Sequence, residues 1–242
     1  MTFVELKRLR GLLSAYAIGC SLVAITAGLV FHSHGIFTLH LSADKSGVRL
    51  SDLLVLGTVM SYIVAAFCGT HLAAERPTLP FLWTRPRPRI DTALRFVAVD
   101  VVAIAIAIAI GVLVQWVVLA TVGLGGAVRF DDRTLAVVPL ALGSAVAWYA
   151  LVMAASVVRE AEYGSVAAVL SWPIFVGIVL LATIAIEPDL RWAIALVAHL
   201  DPLAYLLGSF SDAGLVRRAA EVWLLAVAAG SLAVASWIRS EA

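Results

Sequence analysis

Residues 103–110 read "AIAIAIAI", and two folds compete for the stretch. Alternation with a period of two is what a half-buried strand displays in water. The apolar run does not stop there, however. From Ala93 to Ala120 it is broken only by Arg95, Asp100 and Gln115, and it continues apolar on both faces far beyond the five or so residues of an ordinary strand. Length therefore overrides period, and the segment is predicted to be a helix that crosses a bilayer, for which about 20 apolar residues suffice. Inside hydrocarbon the backbone must satisfy its own hydrogen bonds, which leaves helices or closed barrels.

The same pattern recurs along the chain. The 242 residues are 62% hydrophobic and 14% charged, with a mean hydropathy of +1.02, beyond what a soluble domain of this size uses. Six segments have spanning length: Gly11–Phe31, Ser51–His71, Ala93–Ala120, Leu135–Val158, Ser165–Ile186 and Val222–Ile238. The fold class is thus an all-α integral membrane protein with six transmembrane helices. No signal-peptide cleavage site follows the first apolar run, so that run is expected to stay as an anchor. Cys20 and Cys68 each lie inside an apolar run and read as packing residues. The net charge of +1 leaves no basic face for a nucleic acid once the arginines beside the spans are accounted for.

Lys and Arg resist translocation, so their distribution sets orientation. With the N-terminus inside, Lys7, Arg8, Arg10, Arg76, Arg85, Arg87, Arg89, Arg95, Arg159 and Arg239 are cytoplasmic, ten against the remaining seven. Both termini are then cytoplasmic, and the protein is a multi-pass plasma-membrane protein. Two regions do not span. In residues 1–10, Phe3, Leu6 and Leu9 recur at helical spacing among Glu5, Lys7, Arg8 and Arg10, the pattern of an amphipathic helix at a membrane surface. In residues 187–216, "DLRWAIALVAHL" and "PLAYLLGSF" are apolar but short and are divided by Asp201-Pro202, which predicts short external helices between spans five and six. Residues 1–242 form one domain.

Residues 73–91, "AAERPTLPFLWTRPRPRID", interrupt the oily chain between spans two and three. Four prolines forbid a continuous helix there, and Leu79, Phe81, Leu82 and Trp83 form an apolar cluster between charged flanks. Such a loop fits docking; it also fits a membrane-surface loop anchored on anionic lipid. The order Glu75, Thr78, Leu79, Leu82, Pro86 and Arg87 or Arg89 resembles the cytoplasmic coupling loop of ABC-2 type permeases, the membrane subunits of ATP-driven exporters, with Pro77 where that family commonly has glycine. Asp201, Pro202 and Tyr205 in "DPLAYL" are similar to the family's external Asn-Pro motif, with Asp201 in place of Asn. The resemblance extends over nearly the whole chain.

What is missing agrees with a division of labour. A P-loop needs a Gly-Lys-Ser/Thr sequence to cradle phosphate, and the chain's lysines, Lys7 and Lys45, sit in no such context. The chain is not expected to be an enzyme by itself or to bind a cofactor; ATP and Mg belong to a partner. His32, His34 and His40 fall close together in "HSHGIFTLH" but do not close a ligand set, so no metal site is expected. Within the spans, Asp100 is the clearest polar intruder. It reads as half of a structural pair with an arginine near the inner surface, in preference to a transport role; Gln115, Tyr62 and Ser61 are weaker candidates.

The resemblance implies a permease that pairs with a second permease chain, identical or homologous, through spans one, two and five, and with two copies of an ABC ATP-binding subunit docked on residues 73–91. Membrane lipid is the remaining partner. The alternative is a secondary transporter or a polytopic assembly factor with no ATPase.

Overall fold

The computed structural model describes residues 10–22, 49–70, 89–121, 128–130, 132–158, 199, 201–207 and 214–239. Its elements are helices: α1 (residues 10–22), α2 (Leu50–Gly69), α3 (Arg89–Thr121), α4 (Asp132–Val158), α5 (Pro202–Leu207) and α6 (Leu215–Arg239). The stretch "AIAIAIAI" lies in the middle of α3, so continuity beats alternation. Residues 1–9 of the expected amphipathic helix, the second half of the first span, the whole of the fifth span and Glu75, Thr78, Leu79, Leu82, Pro86 and Arg87 lie outside the described residues.

Among the described residues, four helices are long and apolar enough to cross a membrane: Leu50–Gly69, Ala93–Thr121, Asp132–Ser156 and Leu215–Arg239. They match the second, third, fourth and sixth predicted spans. Their outward faces carry large apolar side chains, among them Phe67, Val102, Leu113 and Leu224. Hydrocarbon solvates such faces and water does not, so the chain reads as a membrane protein.

The contacts fix the helix directions. Gln115 on α3 approaches the Leu53 carbonyl at 3.4 Å, and Gly111 abuts Gly57, so α3 runs against α2. Early in α2, the Leu50 amide donates to the Arg129 carbonyl at 3.0 Å, which places the chain entering α4 beside the start of α2. At the far end, Ser156 on α4 donates to the Gly69 carbonyl at 3.0 Å. Hence α2 and α4 are parallel. Trp223 Nε1 donates to the Pro139 carbonyl at 3.0 Å and Gly230 lies beside Ala150, so α6 is parallel to α4 as well.

Helices in lipid gain little from hydrophobic association and depend on close packing. The α2–α4 seam is tight at Gly69, where a Cβ would stand 2.7 Å from Val152 Cβ and 2.9 Å from the Tyr149 carbonyl. Alanine there forces the end of α2 away from α4 and strains the Ser156 bond. Gly69→Ala is expected to destabilise the protein in detergent by about 1–3 kcal/mol, read as a lower melting temperature of the purified chain. On α6 a stripe of Leu215, Ala219, Val222, Ala226, Ala229, Ala233 and Trp237 is buried, with alanines allowing close approach to α4.

One boundary differs from expectation. The last helix begins at Leu215, not near Val222, and so takes in Arg217 and Arg218, which precede the sixth span as predicted from the sequence. The chain turns at Gly214 with φ of +77°, a conformation that glycine adopts without strain. Arg217 then pairs with Glu221 four residues on at 2.7 Å, which carries the helix through its polar first turns.

Candidate functional site

The best-defined polar cluster is built where α5 meets α2 and α4. Tyr62 stands twelve residues into α2 and Ser144 twelve into α4, about 18 Å along each helix at 1.5 Å per residue, so the two reach the middle of the parallel pair together. Their hydroxyls are hydrogen-bonded, and the Ser144 hydroxyl donates to the Pro202 carbonyl at 2.8 Å. A serine has one proton to give; with that proton on Pro202, Tyr62 must be the donor to Ser144. The Tyr62 ring also stacks on Trp148, with centroids 5.6 Å apart. All four residues are buried.

Sequence chemistry explains why α5 starts there. Asp201 caps the helix, its Oδ1 accepting from the Leu203 amide at 3.0 Å, and Pro202 occupies the first helical position, where a missing N–H does no harm. Tyr205 donates to the His199 carbonyl at 3.1 Å and closes the segment on itself. Leu206, fully buried, joins Val137, Leu140 and Val222 in the second core cluster. Pro202 is bonded to Ser144 at the middle of α4, and Tyr205 lies within electrostatic reach of Glu221 in the first turns of α6, so α5 runs from half depth toward the end at which α2, α4 and α6 begin.

Asp201 is 1% exposed, and its Oδ2 has no hydrogen-bond partner among the described residues. Burial raises its carboxyl above the ordinary carboxylate range, and the Leu203 amide opposes that shift. A raised carboxyl binds its proton more tightly folded than unfolded, so stability is present at acid pH and falls as pH rises from the ordinary carboxylate value through the raised one. Asn caps as well as Asp and carries no charge. Asp201→Asn is therefore expected to be more stable than the wild type at neutral pH, with the gap in melting temperature closing as the buffer is acidified.

A second buried pair lies toward the other end. Tyr149 on α4 donates to Asp100 Oδ2 on α3 at 2.9 Å. The sequence had pointed Asp100 toward an arginine; Tyr149, which sequence reasoning passed over together with Ser144, is a donor that the fold supplies. Both were visible only as polar side chains within the apolar run of α4, a general warning of function or structural pairing. Gln115 bonds the Gly111 carbonyl of its own helix at 3.0 Å, and Ser61 the Thr58 carbonyl at 2.7 Å.

Of the predicted coupling residues, Arg89 falls in the described part, as the first residue of α3. Since α2 and α3 are antiparallel, Thr70 and Arg89 mark the same end of the bundle. Asp91 and Arg95 form an exposed i,i+4 ion pair there at 3.2 Å. Among the described residues no group of three or more His, Cys, Asp or Glu side chains is placed to hold a metal. Comparison of the chain with protein families, with curated proteins and with solved structures finds no match in any of the three.

Proposed function

We propose that the chain is the permease subunit of an ABC-type exporter, moving its substrate across the cytoplasmic membrane with ATP hydrolysed by a separate subunit. The observation that carries this reading is the common direction of α4 and α6. The chain from Val158 to Leu215 joins opposite ends of the bundle, which fits a fifth crossing followed by α5 returning from half depth. Six crossings with both termini on one side, and a capped helix begun by Asp-Pro between the last two, agree with the permease pattern in the sequence. Residues 73–91, between α2 and α3, are then the surface for the ATPase. Glu75 presents charge, Thr78, Leu79, Leu82 and Pro86 fill the partner's groove, and Arg87 and Arg89 hold the flank. A second permease chain completes the pathway.

The test is purification from native membranes with whatever remains bound, followed by ATPase assay of the complex. Wild-type protein is expected to bring an ATP-hydrolysing subunit with it. Glu75→Ala combined with Arg87→Ala is expected to insert normally and to lose at least about tenfold of the coupled activity, the scale of a lost interface anchor. Normal coupling in that variant rejects the docking role. The buried carboxyls Asp100 and Asp201 favour one rival, a secondary transporter, since intramembrane acids serve ion pathways. Transport in vesicles that collapses with an ionophore and ignores ATP would establish that rival.

A further inference from the structure

Between α1 and α3 runs an open crevice of about 630 Å³, within the range of about 300–1,000 Å³ typical of ligand sites. Leu13, Ser14 and Ala17 form one wall; Val102, Ala103 and Ile106 are prominent on the other, and Arg10 also lines the crevice. The "AIAIAIAI" run shapes it. At helical spacing Ala103, Ile106 and Ile110 share one face of α3; Ala103 is buried at 2% exposure, while Val102 at 59% and Ile106 at 43% leave the trough open along its side. Among the described lining residues, all but Arg10 and Ser14 present hydrocarbon.

Arg10 gives the crevice a direction. The Tyr16 hydroxyl comes within 3.2 Å of where a Cβ on Gly111 would stand. Arg10, the first described residue of α1, lines the same crevice, whose α3 wall extends from Ala98 to Ile110. Its side chain is exposed, and it makes no ion pair among the described residues. A cation at the mouth of an apolar trough, on a helix bordered by hydrocarbon, complements an amphiphile with an anionic head and an aliphatic tail. A soluble anion would leave the trough unfilled, and an uncharged lipid would leave the guanidinium unanswered.

We propose that this crevice is a binding site for one anionic diacyl phospholipid, its phosphate on the Arg10 guanidinium and one acyl chain against Val102, Ala103 and Ile106. Tail burial gains little, because the surrounding lipid is equally apolar. Selectivity therefore comes from the head group, and one arginine at an anionic surface is worth a roughly fivefold preference. The site requires only that α1 and α3 lie in a membrane and is independent of any ATPase.

The experiment places the full-length protein in phosphatidylcholine vesicles doped with phosphatidylglycerol and reads the retained lipid by native mass spectrometry. Wild type is expected to retain phosphatidylglycerol about fivefold over its share of the bilayer. Arg10→Gln should bring that ratio to about one, and Ser14→Trp, which fills the trough, should remove the retained lipid. Arg95→Gln, a cation of α3 that is already paired with Asp91, should leave the ratio unchanged. An unchanged ratio in Arg10→Gln, or an equal loss in Arg95→Gln, overturns the site in favour of diffuse surface charge. Oxidative cross-linking of Ser14→Cys to a second copy of the chain overturns it in favour of a helix–helix contact.

Discussion

Leucine in place of Gly111 is expected to take α3 off α2 and to abolish the folded bundle in mild detergent. A Cβ at position 111 would lie 3.0 Å from Gly57 Cα and 3.1 Å from the Gly57 carbonyl oxygen. Both are backbone atoms of a helix and cannot swing aside. The converse holds at Gly57, where a Cβ would meet the Val112 side chain at 3.0 Å and its amide nitrogen at 3.1 Å. Each glycine is thus the socket for the other's backbone. Separating the helices also breaks the reach of Gln115 to the Leu53 carbonyl, and lipid supplies no hydrophobic force to restore contact. The expected loss is at least about 3 kcal/mol, the upper end of overpacking, so Gly111→Leu should run as aggregate on size exclusion. Gly111→Ala needs only a few tenths of an ångström and should remain folded with a lowered melting temperature. A folded Gly111→Leu protein with wild-type stability would mean that α2 and α3 do not cross there.

How far such features were legible depends on their range. Spans were readable because hydropathy over some 20 residues is a property of contiguous sequence; the alternating run in α3 misleads only if its neighbours are ignored. The start of α5 was readable for a similar reason, since Asp followed by Pro carries its own capping chemistry. The extension of α6 to Leu215 was missed because Arg217, Arg218 and Glu221 look like a solvated loop until their i,i+4 spacing is counted. The Tyr62–Ser144–Pro202 connection was out of reach altogether. Its members lie 82 and 58 positions apart, and nothing local distinguishes a serine that bonds across helices from one that bonds its own preceding turn, as Ser21 does to Ala17. Asp100 could be recognised as needing a partner, whereas its donor Tyr149, 49 positions away, could not.

That long-range connection makes the sharpest prediction for the cluster around α5. Ser144→Ala removes the one group that both accepts from Tyr62 and donates to Pro202, leaving the buried Tyr62 hydroxyl without that partner and the Pro202 carbonyl with only the bond of its own helix. The orphaned hydroxyl costs about 1–3 kcal/mol and the lost bond to Pro202 about 1 kcal/mol, less where the membrane-embedded reference state finds substitutes, so a combined loss of about 2–3 kcal/mol is expected. Tyr62→Phe keeps the stacked ring and the Ser144–Pro202 bond and should cost only about 1 kcal/mol. The order of the double variant is the discriminating result. Adding Tyr62→Phe to Ser144→Ala removes an orphan without breaking a bond, so the double variant should be more stable than Ser144→Ala alone, an inversion that two independent packing defects would not give. The release of α5 can be read separately. Leu206 is fully buried, so a Leu206→Cys reporter should resist a water-soluble maleimide while Ser144 is intact. Combined with Ser144→Ala, the same reporter should react several-fold faster, as local opening requires. Equal labelling in both would mean that apolar packing, and not the hydroxyl relay, holds α5 between α4 and α6.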